Sequence, residues 1–130
     1  MTDFSEAMQV AASGMKAQAG RLRHISENIA NTDTPGYRRK TVAFAQEVAA
    51  GRATGAVETG PVQLDNSALQ RVYDPSHPMA DPSGFYDGSN VNLLIEIADA
   101  REAQRSYEAN LKLFEQVRQM STALTDLLRR

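Results

Sequence analysis

Apolar residues return every three or four positions near both ends of this chain, and nowhere else for long. Phe4, Met8, Ala11, Met15, Leu22, Ile25 and Ile29 keep a 4-3-4 spacing, with Gln18 in the one polar slot. That rhythm puts them on one stripe of a helix over roughly residues 4–31. Asp3 with Glu6 resembles a capping box. Pro35-Gly36 stops the helix, because proline pushes Thr34 out of the α region and Gly36 accepts positive φ. Gly14 and Gly20 each cost about 1 kcal/mol against Ala in a helix interior. Ser13-Gly14 either lets another backbone come close or is a tolerated surface pair.

A second helix is predicted over roughly residues 92–128, with Asn92 as its N-cap. Ile97, Ala100, Tyr107, Leu111 and Phe114 mark one face, continued by Val117, Met120, Leu124 and Leu127 or Leu128. Strict heptads from Phe114 would instead use Arg118, Ser121 and Thr125. The apolar residues arrive one position early, so the seam is expected to drift and to meet several partners. Glu108 and Lys112 form a favourable i,i+4 pair on the outside.

Between the helices the pattern breaks up. Val42-Ala43-Phe44-Ala45 starts either a strand or a short helix. Gly51, Gly55 and Gly60-Pro61 punctuate a polar stretch, and Val57-x-Thr59 and Val62-x-Leu64 read as two short strands around Gly60-Pro61. Asp74-Pro75, His77-Pro78 and Asp81-Pro82-Ser83-Gly84 are turn signals. So long a connection with weak elements is expected to be mobile in the free chain. The expected organisation is one mainly α domain: an N-terminal helix (1–33), an irregular or small-β middle (34–90) and a C-terminal helix (91–130). The two helices are expected to form an antiparallel coiled-coil hairpin.

Energetics favour further partners. A fully buried seam residue contributes roughly 1.5–3 kcal/mol, and ordering each helical residue costs roughly 1–2 kcal/mol. Two helices sharing one stripe are therefore marginal alone, and copies packed on the remaining apolar flanks would add to the core.

Composition narrows the chemistry. Among 130 residues there is no Trp and no Cys, and the formal charge is −2. Without Cys there is no disulfide, zinc-thiolate site or thiol nucleophile. The near-neutral charge gives no global pull toward nucleic acid or anionic lipid. No stretch nears the ~18–20 apolar residues of a membrane span, and Asp3 and Glu6 stand where a cleaved secretory signal would be basic. The Tyr37-Arg38-Arg39-Lys40 run reads as a solvated charge run or a contact with an acidic neighbour, not a nucleic-acid site. His24, beside Ile25, is expected to be exposed. His24 and His77 have no metal-like spacing, and Ser76-His77 lacks a third orienting group. No phosphate-binding glycine motif is present. The reading is a non-enzyme without a cofactor or metal. Asn28, Asn31 and Asn110 are open between two roles. Asn31 is a cap and the other two are exposed, or a buried Asn fixes register and neighbour choice as polar seam residues do.

Ala12-Ser13-Gly14-Met15-x-Ala17-Gln18, Ile25-Ser26-Glu27-Asn28-Ile29-Ala30-Asn31 and Thr34-Pro35-Gly36-Tyr37-Arg38-Arg39-Lys40 together resemble the N-terminal signature of the bacterial flagellar rod/hook axial family. The short length is similar to its proximal rod members. So are Tyr73-Asp74-Pro75-Ser76-His77-Pro78-x-Ala80-Asp81, Asn90-Val91-Asn92 and Ala103-Gln104-Arg105-Ser106-Tyr107-Glu108-Ala109-Asn110. Residues 45–65 carry no match. The family tends to have Pro before Asn-Val-Asn. Gly88-Ser89 stand here instead, which implies a less rigid approach to the second helix.

The resemblance implies a structural subunit, exported through the flagellar type III apparatus without a cleaved signal. It would assemble helically with copies of itself and neighbouring rod and basal-body subunits into the torque-transmitting rod across the periplasm. Phe4, Met8, Met15, Leu22, Ile25 and Ile29 would pack on Tyr107, Leu111, Phe114, Leu124 and Leu128, within and between subunits. Asn31, Pro35, Gly36, Tyr37, Arg38 and Arg39 would face a neighbour, with Asn110 as a seam polar residue. The rival readings are another proximal rod subunit, or a cytosolic helical adaptor or export chaperone.

Overall fold

The structure is a computed structural model describing residues 2–130. Two long helices, α1 (Thr2–Ala30) and α2 (Leu93–Arg129), flank six short strands: β1 (Lys40–Thr41), β2 (Phe44–Ala49), β3 (Arg52–Thr59), β4 (Gln63–Leu64), β5 (Arg71–Tyr73) and β6 (Phe85–Asp87). The chain is mainly α with a small antiparallel β portion. Asn92 caps α2, its side chain accepting from the Leu94 and Ile95 amides. Asp3 lies inside the first turn of α1, so the expected capping box does not form. The end of α1 is set before Pro35. The Asn31 and Thr32 side chains donate to the last-turn carbonyls of Glu27, Asn28 and Ile29.

The helices run in opposite directions side by side. Asn28 meets Glu96, Arg21 reaches Asp99 and Glu102 at 3.8 and 3.6 Å, and Gly14 faces Asn110. Ala11, Ala17 and Ile25 of α1 and Ala103 and Val117 of α2 are buried. On α2, Glu96, Asp99, Ala100, Ala103, Ser106, Tyr107, Asn110, Phe114, Val117, Ser121 and Thr125 are buried or half-buried. Past Val117 the half-covered positions are Ser121 and Thr125, while Leu124 is 37% exposed, so the large apolar residues leave the covered face there. Small and polar residues (Ala100, Ala103, Asn110, Ser121) hold seam positions, while Ile97 and Met120 point outward, 40 and 52% exposed.

Ser13-Gly14 serves two neighbours at once. The Ser13 hydroxyl donates to the Val10 carbonyl at 2.7 Å and accepts from the Val57 amide of β3 at 3.0 Å. On the other side a Cβ at Gly14 would lie 2.8 Å from the Asn110 amide. The close approach is therefore by a side chain, and Asn110 uses the space to donate to the Ser106 carbonyl.

The strands form three two-stranded antiparallel units, β1–β4, β2–β3 and β5–β6. The two strands expected around Gly60-Pro61 do not pair with each other; β3 pairs with β2 and β4 with β1. The hairpin turn is Ala50-Gly51, both at positive φ (51° and 76°), a geometry that matches strand twist. In the β5–β6 unit Arg71 bridges Asp81 and Asp87 at 2.7 and 3.1 Å, and His77 stacks on Tyr86 at 3.9 Å. Gly84 is buried, and a Cβ there would lie 2.8 Å from the Tyr73 ring. The approach to α2 is pinned rather than loosened. Ser89 is 2% exposed and donates to the Thr32 carbonyl, and Gly88 donates to the Gln70 carbonyl at 2.7 Å.

Gly14→Ala should lower stability by about 1–2 kcal/mol, because the methyl displaces the Asn110 amide. In an Asn110→Ala background the same change should stabilise by about 1 kcal/mol, because Ala is then the better helix former. Thermal melts of the four chains by circular dichroism check the sign reversal.

Candidate assembly site

The two largest fully buried side chains, Glu96 and Asn28, are polar. Glu96 points from the first turn of α2 toward α1. It accepts from the Arg39 Nε, and the Asn28 amide donates to its other oxygen at 3.4 Å. Asn28 also donates to the Lys40 carbonyl at 3.0 Å, and its oxygen accepts from the Tyr37 hydroxyl at 2.8 Å and the Lys40 amide at 2.9 Å. Its amide group is thus fully satisfied. Arg39 donates further to Asp99 at 3.1 Å, and its backbone amide is held by the Asn90 side chain at 2.6 Å. One node therefore ties the end of α1, the segment after it and the start of α2.

The electrostatics follow the contacts. Burial opposes the Arg39 charge, but the hydrogen bond and attraction of Glu96, with Asp99 and Asp65, outweigh it and hold the guanidinium above its ordinary pKa. Burial pushes the Tyr37 phenol up. At the rim Lys40 donates to Glu27 at 2.8 Å, which holds the Glu27 carboxyl down and the Lys40 ammonium up. Arg38 donates to the Asp65 and Ser67 carbonyls. The basic run is therefore spent inside the chain. His24 is also drawn in, its side chain 15% exposed beside Glu27, and is not the exposed residue expected.

The residues expected at interfaces fall into three groups. Phe4, Met8, Met15, Leu22, Ile25 and Ile29 lie buried or half-buried on α1, and Tyr107, Asn110 and Phe114 are half-buried on α2. Asn31, Pro35, Tyr37, Arg38 and Arg39 are half-buried at the junction, with Gly36 exposed but its amide bonded to the Asp87 and Gly88 carbonyls. Leu111, Leu124 and Leu128 remain 37, 37 and 74% exposed. Leu128 is therefore mostly uncovered by the described residues.

Sequence reasoning missed one group. Leu93, Leu94, Ile95 and Ile97 form a collar at the start of α2, 45, 77, 52 and 40% exposed, while the charged residue among them, Glu96, is buried. The first turns of α2 are inside out. A run of consecutive aliphatics around one acid at a helix start was the available signal.

Among the described residues no cluster of His, Asp or Glu is suited to a metal, and no helix is long and apolar enough to cross a membrane. A cleft of about 300 Å³ is lined by Arg21, His24, Arg39, Lys40, Phe44 and Asp99 among others, but its cations are already paired with carboxylates. What the surface offers is apolar contact, which is the chemistry of assembly.

Glu96→Ala should destabilise by about 1–3 kcal/mol, because it removes a buried acceptor of Arg39 and Asn28 while leaving Arg39 its contacts with Asp99 and Asp65. Glu96→Gln should cost less, and Arg39→Met with Glu96→Leu should restore most of the loss. Urea unfolding of the four chains is the measurement.

Known proteins share this arrangement of sequence. Residues 8–38 match the family described as Flagella basal body rod protein, and residues 83–127 the family described as Flagellar basal body rod FlgEFG protein C-terminal. The flagellar basal-body rod protein FlgC of Agrobacterium fabrum is 43% identical, covering 99% of this chain and 98% of its own length. That of Salmonella typhimurium is 34% identical over 85% of this chain and 87% of its own. That of Bacillus subtilis is 33% identical over 85% and 88%. Similarity of this extent, at both helices and at the junction that joins them, makes the chain a member of the flagellar basal-body rod protein FlgC family.

Proposed function

We propose that the chain is a structural subunit of the proximal rod of the bacterial flagellum, a non-enzyme that assembles helically into the torque-transmitting shaft. Family membership supports the structural rod role. The observation that carries the mechanical reading is the unbroken two-helix seam, which leaves aliphatic surface uncovered at both ends of α2. In this reading α1 and α2 wind as an antiparallel coiled-coil hairpin, and neighbours cover the remaining apolar faces. Its partners are copies of itself and the neighbouring rod and basal-body subunits. Export through the flagellar type III apparatus and residence in the periplasmic span accompany that role. The slender body, with little core outside the helix pair, suits passage through a narrow channel. The loop from Thr34 to Lys40 acts by setting the pose of α2 as well as by any contact with a neighbour.

Leu22 is half-buried in the groove between the helices, near Tyr107 and Leu111. Leu22→Asp puts an unpaired charge there. Cells carrying only that variant should lose swimming, and purified hook–basal bodies should lack the chain. Normal swimming with the variant incorporated would count heavily against the proposal.

A further inference from the structure

The β2–β3 hairpin follows one line along α1. A Cβ at Gly55 would lie 3.5 Å from the Val10 side chain, and the Ser13 hydroxyl holds the Val57 amide. Two turns on, at Gly20, that line is open: a Cβ there would meet nothing within 4 Å. The strand has left the helix, and a groove of about 450 Å³ opens between α1 and the segment from Thr59 to Val62. Glycine is unfavourable against alanine in a helix interior, and no close approach inside the chain requires it at Gly20.

The groove is basic. Lys16, Arg23 and His24 line it, and no Asp or Glu does. Lys16 and Arg23 are exposed and have no carboxylate within 4 Å among the described residues. Glu27, one turn beyond Arg23, is held by Lys40 at 2.8 Å. The His24 side chain is 15% exposed, and its buried Nδ1 has no hydrogen-bond partner. In the neighbouring cleft, by contrast, Arg21, Arg39 and Lys40 each hold a carboxylate of their own chain.

The walls say which kind of acid fits. Val42 and Val62 form them, and the Gly60 amide is already given to the Ala43 carbonyl at 2.8 Å. That is not the amide-lined cradle that suits a compact phosphate. Lys16 and Arg23 stand about 10 Å apart along α1, a span that three or four residues of extended chain cover. An extended segment with an aliphatic body and carboxylates toward both ends matches both the walls and the charge.

We infer that in the assembled rod this groove receives an acidic, extended segment of a neighbouring subunit. Its carboxylates pair with Lys16 and Arg23, and its backbone lies over Ala19 and Gly20, where the missing methyl leaves room for it. This rests on the rod reading and adds to it the chemistry of one subunit contact.

A carbodiimide joins an amine to a carboxylate that touches it, with loss of water. Applied to purified hook–basal bodies, it should link Lys16 to an Asp or Glu of another chain, read as a cross-linked peptide by mass spectrometry. Lys16→Arg should remove that peptide. Gly20→Ala should melt about 3–6 °C higher yet be several-fold depleted from basal bodies, because its methyl enters the groove. Arg23→Glu, at an exposed position, should keep the native melt and lose incorporation by about tenfold or more. Full incorporation of both variants would overturn the inference while leaving the rod reading intact. So would a Lys16 that stays unlinked, or that links only within single chains to Glu47 or Glu58, which share the adjoining cleft with it. Absence of the unmodified chain from basal bodies would instead sink the rod reading itself.

Discussion

The buried carboxylate of Glu96 is the constraint on which the rest of the structure depends. An acid with no solvent access is tolerable only if it is paired and its oxygens are hydrogen-bonded. Arg39 and Asn28 do both. Arg39 comes from the segment after α1, Asn28 from the last turns of α1 and Glu96 from the first turn of α2. Satisfying one charge therefore fixes how α1 ends, where the junction lies and at what register α2 returns. A slip of one residue in α2 would leave Glu96 unpaired and Asn110 off Gly14, so register is penalised at two points along the seam.

This explains a core that is weak by ordinary standards. The buried hydrophobic residues are mostly Ala and Val with one Ile. Small residues let two helices lie close, but they contribute little apolar area each. The polar node supplies specificity that so small a core cannot, a role attested for single buried polar residues in helical assemblies. The larger aliphatics are displaced outward at the two ends of α2, where they are available to neighbours. A chain built this way leaves much of its aliphatic surface uncovered.

Much of this was legible in the chain. The Phe4-to-Ile29 stripe, the Asn92 cap and the Asp81–Gly84 turn follow from local rules, and the structure has each of them. The strand pairing was not legible, because Ala50-Gly51 lacks the Asn or Asp that marks a two-residue hairpin. The α2 seam was legible only in part: Ala100, Tyr107, Phe114 and Val117 lie on the covered face as expected, but Glu96, Asn110 and Ser121 share it. A reading that follows the largest apolar residues is drawn instead to Ile97 and Met120, which face away. Asn28 and Arg39 could be flagged as polar residues of note, but their partner lies far along the chain, and no spacing rule reaches that distance. The role of Ser13-Gly14 needed both neighbours in view.

The rod assignment is the central claim, and mass spectrometry of hook–basal bodies purified in detergent from the source cell tests it most directly. The account predicts this chain in the particles, in several copies beside the other axial subunits. Its absence there, with the chain recovered in the cytosol, would contradict it.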